Sequence, residues 1–353
     1  MPQQRIAGLD GIRAIAVLMV FASHADNVAR DLQFGSIGVW AFFVLSGFLI
    51  VRILSRQRLE IEAGETNFAT ELSTFFKRRT LRIFPIYYLV LGCAALSTLL
   101  GTVWHYSGAP WPYYWTYMTN IYIQTSGALL GSFSHLWSLA IEEQFYVIAA
   151  PLFLITPARF AVHLCGMFIF VGLARGMALA DAPATTFHFD SIFNFYMLGL
   201  GGLAGLLASR INRVQASAGL ALCLTAFLAL LAIDYTINTD INQGIFLFPI
   251  FAASLYIYIF RNQSSIIVRM LDLSPLRGLG RVSYGFYLYH NFWKLDLIRA
   301  AFGVSFEPSN WLRITLEFSI TLALAVLSWI AIERPLLALQ GKPGHRRELS
   351  QVA

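Results

Sequence analysis

About ten stretches of this chain are apolar over nearly the length a helix needs to cross a bilayer, and nothing else narrows its fold so far. Spanning a hydrocarbon core takes ~20 apolar residues. Such windows fall at 9–29, 36–55, 80–101, 134–155, 159–180, 190–209, 216–234, 241–260, 282–302 and 311–332. The 353 residues are 57% hydrophobic and only 12% charged, about half the ~25% charged share of a soluble domain. The expected fold is an all-α integral membrane protein of about ten transmembrane helices.

Lys and Arg orient those helices, because cytoplasmic loops are enriched in them. Arg52, Arg56, Arg58, Lys77, Arg78 and Arg79 fall in one connection, whereas 102–133 has none. Arg210, Arg213, Arg261, Arg269 and Arg277 share a side with Lys342, Arg346 and Arg347, so both termini are expected in the cytoplasm. Loop bias of this kind accounts for the net charge of +6 without nucleic acid. Cys93, Cys165 and Cys223 lie scattered in apolar stretches, and no metal-ligand spacing exists. With no basic n-region or small-residue cleavage site, no removed signal peptide is expected. The chain reads as one membrane domain, 1–340, with a short basic cytoplasmic tail, 341–353.

Ionisable groups within membrane helices are costly and by default mark functional positions. Arg13 and His24 are eleven residues apart in the first window, about three helical turns, so they share a face roughly 16 Å apart. That arrangement suits a long anionic substrate lying along the helix. The fourth window opens SHLWSLAIEEQFY, with His135 at its rim and Glu142 and Glu143 about two turns deeper. His290 closes RVSYGFYLYH in the ninth window, after Tyr284. Three histidines and a carboxylate pair are thus expected to converge from three helices, although each histidine alone also reads as an interhelical hydrogen bonder. His is the side chain poised for proton transfer near neutral pH, and a carboxylate can orient it.

Arg78, Arg79 and Arg82 start the third window. They read either as ordinary positive charges at a cytoplasmic helix end or as a phosphate grip, since guanidinium groups bind phosphate bidentately. The stretch that carries them, LSTFFKRRTLRIF, reads as an interfacial helix. Ser46, with Gly38 and Gly47, is a small residue among aromatics in GVWAFFVLSGFLI, fit for close helix packing or for a backbone approaching a thin substrate. The Trp- and Tyr-rich segment 102–133 reads as an interfacial belt or as a platform for stacking sugars.

Taken in order, these motifs resemble the membrane-bound acyltransferase-3 family of bacterial O-acyltransferases. LDGIRAIAVLMVFASHA is similar to its Arg-x10-His helix, and GVWAFFVLSGFLI to its FF-x-LSGF segment. RRTLRIFPIYYL resembles its RR-x-x-RI-x-P-x-Y element, HLWSLAIEEQFY its H-x-WSL-x-x-EEQFY signature, and SYGFYLYH its late Ser-Tyr…His segment. IERPL, with Glu333, Arg334 and Pro335, resembles the closing Glu-basic-Pro. Trp40 departs from the polar residue common after the Gly-Val pair.

The resemblance implies transfer of an acyl group, usually acetyl from cytoplasmic acyl-CoA, to a hydroxyl of a cell-surface or lipid-linked carbohydrate. It implies no permanently bound cofactor, and residence in a bacterial inner membrane alongside glycan-assembly proteins. The family's functional residues carry over to Arg13, His24, Arg78, Arg79, Arg82 and Glu142. His135, Glu143, Ser46, Tyr284 and His290 are secondary candidates. Because the fused esterase-like domain of some members is missing, the chain is expected to act alone or to pass its product to a separate protein. The competing class is a proton-coupled transporter using the same His and Glu residues as a relay. It predicts internal repeats, and none is visible in the sequence.

Overall fold

The structure, a computed structural model, describes residues 5–99, 109–237, 244–292 and 309–338, with side chains omitted for 184, 185, 231–237, 244 and 245. All regular structure among the described residues is helical. The long elements are α1 (Leu9–Ala25), α3 (Phe34–Glu62), α4 (Phe68–Leu99), α7 (Leu136–Ile155), α8 (Ala161–Ala178), α10 (Ser191–Leu207), α11 (Arg213–Ile237), α12 (Gly244–Arg261) and α16 (Asn310–Ser328). Between them lie the short helices α2 (Asn27–Asp31), α5 (Trp111–Trp115), α6 (Thr119–Ser126), α9 (Ala184–His188), α13 (Ile266–Leu271), α14 (Ser274–Arg281) and α15 (Ser283–Tyr289). Among the described residues, six helical segments are long and apolar enough to cross a membrane by length and composition.

The hub is α3, which packs against α1, α7, α10 and α12. Its contact with α10 is a close approach that depends on two reciprocal glycines. A Cβ on Gly47 would lie 1.9 Å from the Leu198 carbonyl oxygen, and one on Gly201 would lie 2.0 Å from that of Val44. Without a side chain at either position the two backbones touch. Dispersion from such contact drives association where lipid supplies no hydrophobic force between helices.

Two segments differ from the sequence-based expectation. The interfacial helix expected at LSTFFKRRTLRIF is the first part of α4, which continues unbroken through Pro85 to Leu99. At ~1.5 Å per residue its 32 residues run about 48 Å, well beyond the ~30 Å hydrocarbon core. One end therefore overhangs, and it is tied to the overhang of α3 by the Gln57 amide donating to the Glu71 carboxylate at 2.8 Å. In the ninth window, the helix stops at Tyr289 after seven residues, and 293–302 lies outside the described residues.

The aromatic segment after α4 folds back onto it. The Tyr87 hydroxyl donates to the Tyr114 carbonyl at 2.8 Å and that of Tyr88 to the Trp115 carbonyl at 2.9 Å. Tyr117 stacks on Tyr87 with ring centroids 4.2 Å apart, and Trp115 lies parallel to Tyr88 at 5.5 Å. Tyr87 and Tyr117 are buried in these contacts, whereas Trp115 stays exposed. Beyond them the Gln144 amide donates to the Tyr117 carbonyl and to Asn120, locking the segment to α7.

Candidate functional site

One cavity of about 1110 Å³ runs between α1, α3, α4, α7 and α15. Seven arginines line it, Arg5, Arg13, Arg52, Arg56, Arg78, Arg79 and Arg82, against three carboxylates, Asp10, Glu142 and Glu143. Four cationic groups in excess give it a positive field that would attract a polyanion. The arginines come from three directions. Arg78, Arg79 and Arg82 project from the first half of α4, Arg52 and Arg56 from the overhanging end of α3, and Arg5 and Arg13 from the start of the chain.

Several of these guanidinium groups are held in place. Arg13 donates to Asp10 at 2.8 Å, and Asp10 also accepts from Arg5 at 3.2 Å. Arg5, outside the spans, bonds to Asp272 as well, and that bond keeps its guanidinium above its ordinary pKa. Arg52 donates to the Gly205 carbonyl at 2.9 Å and lies 4.3 Å from the Phe260 ring centroid. Arg79 sits 5.6 Å from the centroid of Tyr146, at the boundary between the arginines and the carboxylates.

Farther along the cavity, α3 and α7 face each other through a short hydrogen-bonded chain. Tyr146 donates its hydroxyl to Glu142 Oε2 at 2.8 Å, and Ser46 Oγ lies 2.6 Å from that hydroxyl and 3.4 Å from the carboxylate. Glu142 and Tyr146 are i, i+4 on α7 and therefore share a face. Glu143 lines the same cavity. One helical turn beyond, Ser138 and Tyr287 bond to each other at 2.6 Å, and Tyr287 donates to the His135 carbonyl at 2.9 Å. Phe42 packs edge-on to Tyr287, with ring centroids 6.1 Å apart.

Behind Tyr287 the three histidines meet. Ring centroids of His24 and His290 are 4.9 Å apart, as are those of His290 and His135. Tyr287 lies 5.5 Å from both His135 and His290. Each ring has one nitrogen on a backbone carbonyl: His24 Nδ1 on Val20 at 2.9 Å, His135 Nε2 on Leu288 at 3.1 Å, and His290 Nδ1 on Tyr287. A carbonyl only accepts, so those nitrogens carry the hydrogen. In the neutral rings the basic atoms are Nε2 of His24, Nδ1 of His135 and Nε2 of His290.

The structure thus gathers the sequence-derived candidates into two layers. Arg13, Arg78, Arg79, Arg82, Ser46, Glu142, Glu143 and Tyr284 line the cavity, whereas His24, His135 and His290 are not among its lining residues. Glu142 bonds to Ser46 and Tyr146, on the cavity side of the Ser138–Tyr287 pair, while His24 packs against His290 on the other. Tyr284 donates to the Ile83 carbonyl at 2.7 Å and so ties α15 to α4. Sequence reasoning counted Arg52 and Arg56 only as orientation signals and passed over Arg5, Tyr146, Ser138 and Tyr287. The i, i+4 spacings Arg52/Arg56 and Glu142/Tyr146 carried that information. Trp40 is buried, with its ring against Phe248 and His188.

A family model described as an acyltransferase domain, that of acyltransferase 3, matches residues 6–332. The chain belongs to this family. YrhL of Bacillus subtilis is 30% identical over 94% of the chain and 55% of its own length. The peptidoglycan O-acetyltransferase OatA of Listeria monocytogenes is 28% identical over 94% of the chain and 56% of its own. The O-acetyltransferase OatA of Staphylococcus aureus is 25% identical over 94% and 57%. The chain therefore spans little more than half the length of these curated relatives. No solved structure matches it.

Proposed function

We propose that the chain is an O-acyltransferase that moves an acyl group, acetyl by likeness to its relatives, from cytoplasmic acyl-CoA to a hydroxyl of a cell-surface or lipid-linked carbohydrate. The observation that carries this reading is the cavity between these helices, rich in arginine at one end and reaching a carboxylate and two hydroxyls farther in. Its excess of guanidinium groups suits the phosphates of a nucleotide, with Arg78, Arg79 and Arg82 gripping them and Arg13 near the entrance. The pantetheine arm is thin and uncharged, so it would follow the cavity inward and bring the thioester toward Ser46 and Glu142. The acceptor hydroxyl would approach from the histidine side. Nε2 of His24 would take its proton as general base as the oxygen attacks the acyl carbon. His290 and His135 would hold that imidazole in place.

The same reading sets the arginine end at the cytoplasm of a bacterial inner membrane. It gives about ten spans over a single domain, 1–340, with both termini and the tail 341–353 cytoplasmic. The acceptor is taken to be a glycan hydroxyl because two of the relatives are O-acetyltransferases by name, one of them acting on peptidoglycan. NMR of ester groups on cell-surface glycans, with and without the protein, tests this directly. We expect esters that disappear with the protein and that do not return with His24→Ala, although that variant accumulates in the membrane. Undiminished glycan esters in the His24→Ala strain would exclude His24 as the base.

A further inference from the structure

A thioester seated in the cavity meets a hydroxyl before it meets an imidazole. Ser138 and Tyr287 line the cavity, and the Tyr287 ring lies 5.5 Å from those of His135 and His290, so hydroxyls stand nearer the cavity than the imidazoles do. Six hydroxyls line the cavity: Ser46, Ser138, Ser283, Tyr146, Tyr284 and Tyr287. Tyr284 and Tyr287 donate to backbone carbonyls, and Ser138 bonds to Tyr287 and the His135 carbonyl, none of which can carry a proton away. Among the described residues, only Ser46 and Tyr146 have hydrogen bonds that reach a carboxylate from this set.

The direction of that chain follows from the atoms. An ionised Glu142 only accepts, so the single hydroxyl hydrogen of Tyr146 lies on Glu142 Oε2 at 2.8 Å. Tyr146 Oη is then left as an acceptor, and at 2.6 Å it accepts from Ser46. The order is Ser46 to Tyr146 to Glu142, a nucleophile connected to a base through a relay, which is the general arrangement for activating a serine. The Arg79 guanidinium beside the Tyr146 ring favours negative charge developing there.

We propose that Ser46 is the first acceptor of the acyl group, forming an acyl-serine on the donor side of the Ser138–Tyr287 pair. This rests on the reading of the cavity as an acyl-thioester site. Ser46 Oγ attacks the thioester carbonyl as its proton moves to Tyr146 and that of Tyr146 moves to Glu142. The C–O bond forms, the C–S bond breaks, and the thiolate leaves with the proton held by Glu142. In the second half, the acceptor hydroxyl gives its proton to His24 as its oxygen attacks the acyl carbon, the Ser46 ester C–O bond breaks, and Ser46 Oγ takes back its proton from Glu142 through Tyr146, which leaves Glu142 ionised again.

The test uses the purified chain in lipid nanodiscs, with acetyl-CoA radiolabelled in the acetyl group and no acceptor. After an acid quench, label is expected on the peptide containing Ser46. Ser46→Ala should retain no label and lose ~100-fold or more in turnover, while binding acetyl-CoA within about threefold of the parent. Tyr146→Phe should slow labelling ~100-fold with little change in acetyl-CoA affinity. Ser46→Cys should restore labelling as a thioester cleaved by neutral hydroxylamine, a signature that a packing role would not produce. If Ser46→Ala does not fold, the Cys and Phe variants decide the matter. Acetyl-CoA consumed with no label on the protein, or with label unaffected at Ser46→Ala, overturns the acyl-serine and leaves the donor site standing. Failure to bind or consume acetyl-CoA at all overturns both.

Discussion

Arg79 sits where the guanidinium-lined part of the cavity gives way to the Ser46–Tyr146–Glu142 chain, so it touches both halves of the proposed chemistry. A hydrogen bond to a charged group contributes ~1.5–3 kcal/mol, and each 1.4 kcal/mol is about tenfold in affinity. Arg79→Gln is therefore expected to raise KM for acetyl-CoA by about tenfold or more in steady-state assays of purified protein. A KM unchanged by that substitution would remove Arg79 from the donor site. At this scale the sequence told a great deal. Helical phase aligned Arg13 with His24, and the fold does bring His24, His135 and His290 into ring contact. Phase could not show what fills the space along that face. Ser138, Tyr287 and Phe42 come from three other elements, and their packing leaves Arg13 in the cavity and His24 behind it.

Among the elements, the contact between α3 and α10 fixes the wall that carries Ser46, because Gly47 is its neighbour in sequence and touches the α10 backbone. Overpacking a tight contact costs ~1–3 kcal/mol, and each kcal/mol lowers Tm by roughly 2–4 °C in a chain of a few hundred residues. Gly201→Ala is expected to lower the apparent Tm in detergent by roughly 2–10 °C. Gly92→Ala serves as the control, since a Cβ there meets nothing within 4 Å and should leave Tm unchanged or slightly raised. Equal behaviour of the two variants would contradict the close approach. Hydropathy located the long helices well but misjudged the start of α4. Charged residues in LSTFFKRRTLRIF end an apolar window without ending a helix, and no glycine or proline interrupts the backbone until Pro85. In the ninth window α15 ends at Tyr289, and the rest of the apolar run, from 293 on, lies outside the described residues.

Across the whole molecule the account requires the arginine-lined end of the cavity to face the compartment that holds the nucleotide donor. In a cysteine-free background, a cysteine at exposed Ser126 should react with an impermeant maleimide in intact cells, whereas one at exposed Glu65 should react only after permeabilisation. The reverse pattern would put the cavity mouth on the wrong side. Charge bias in the loops supports this orientation from sequence alone, while the cavity itself could be found only once five helices were assembled around it. The most direct measurement supplies purified protein in nanodiscs with radiolabelled acetyl-CoA and a soluble glycan fragment, and follows label into glycan ester. Transfer by the parent chain that is lost in His24→Ala and weakened in Arg79→Gln is the predicted result. A well-folded parent protein that neither binds nor consumes acetyl-CoA would contradict the account.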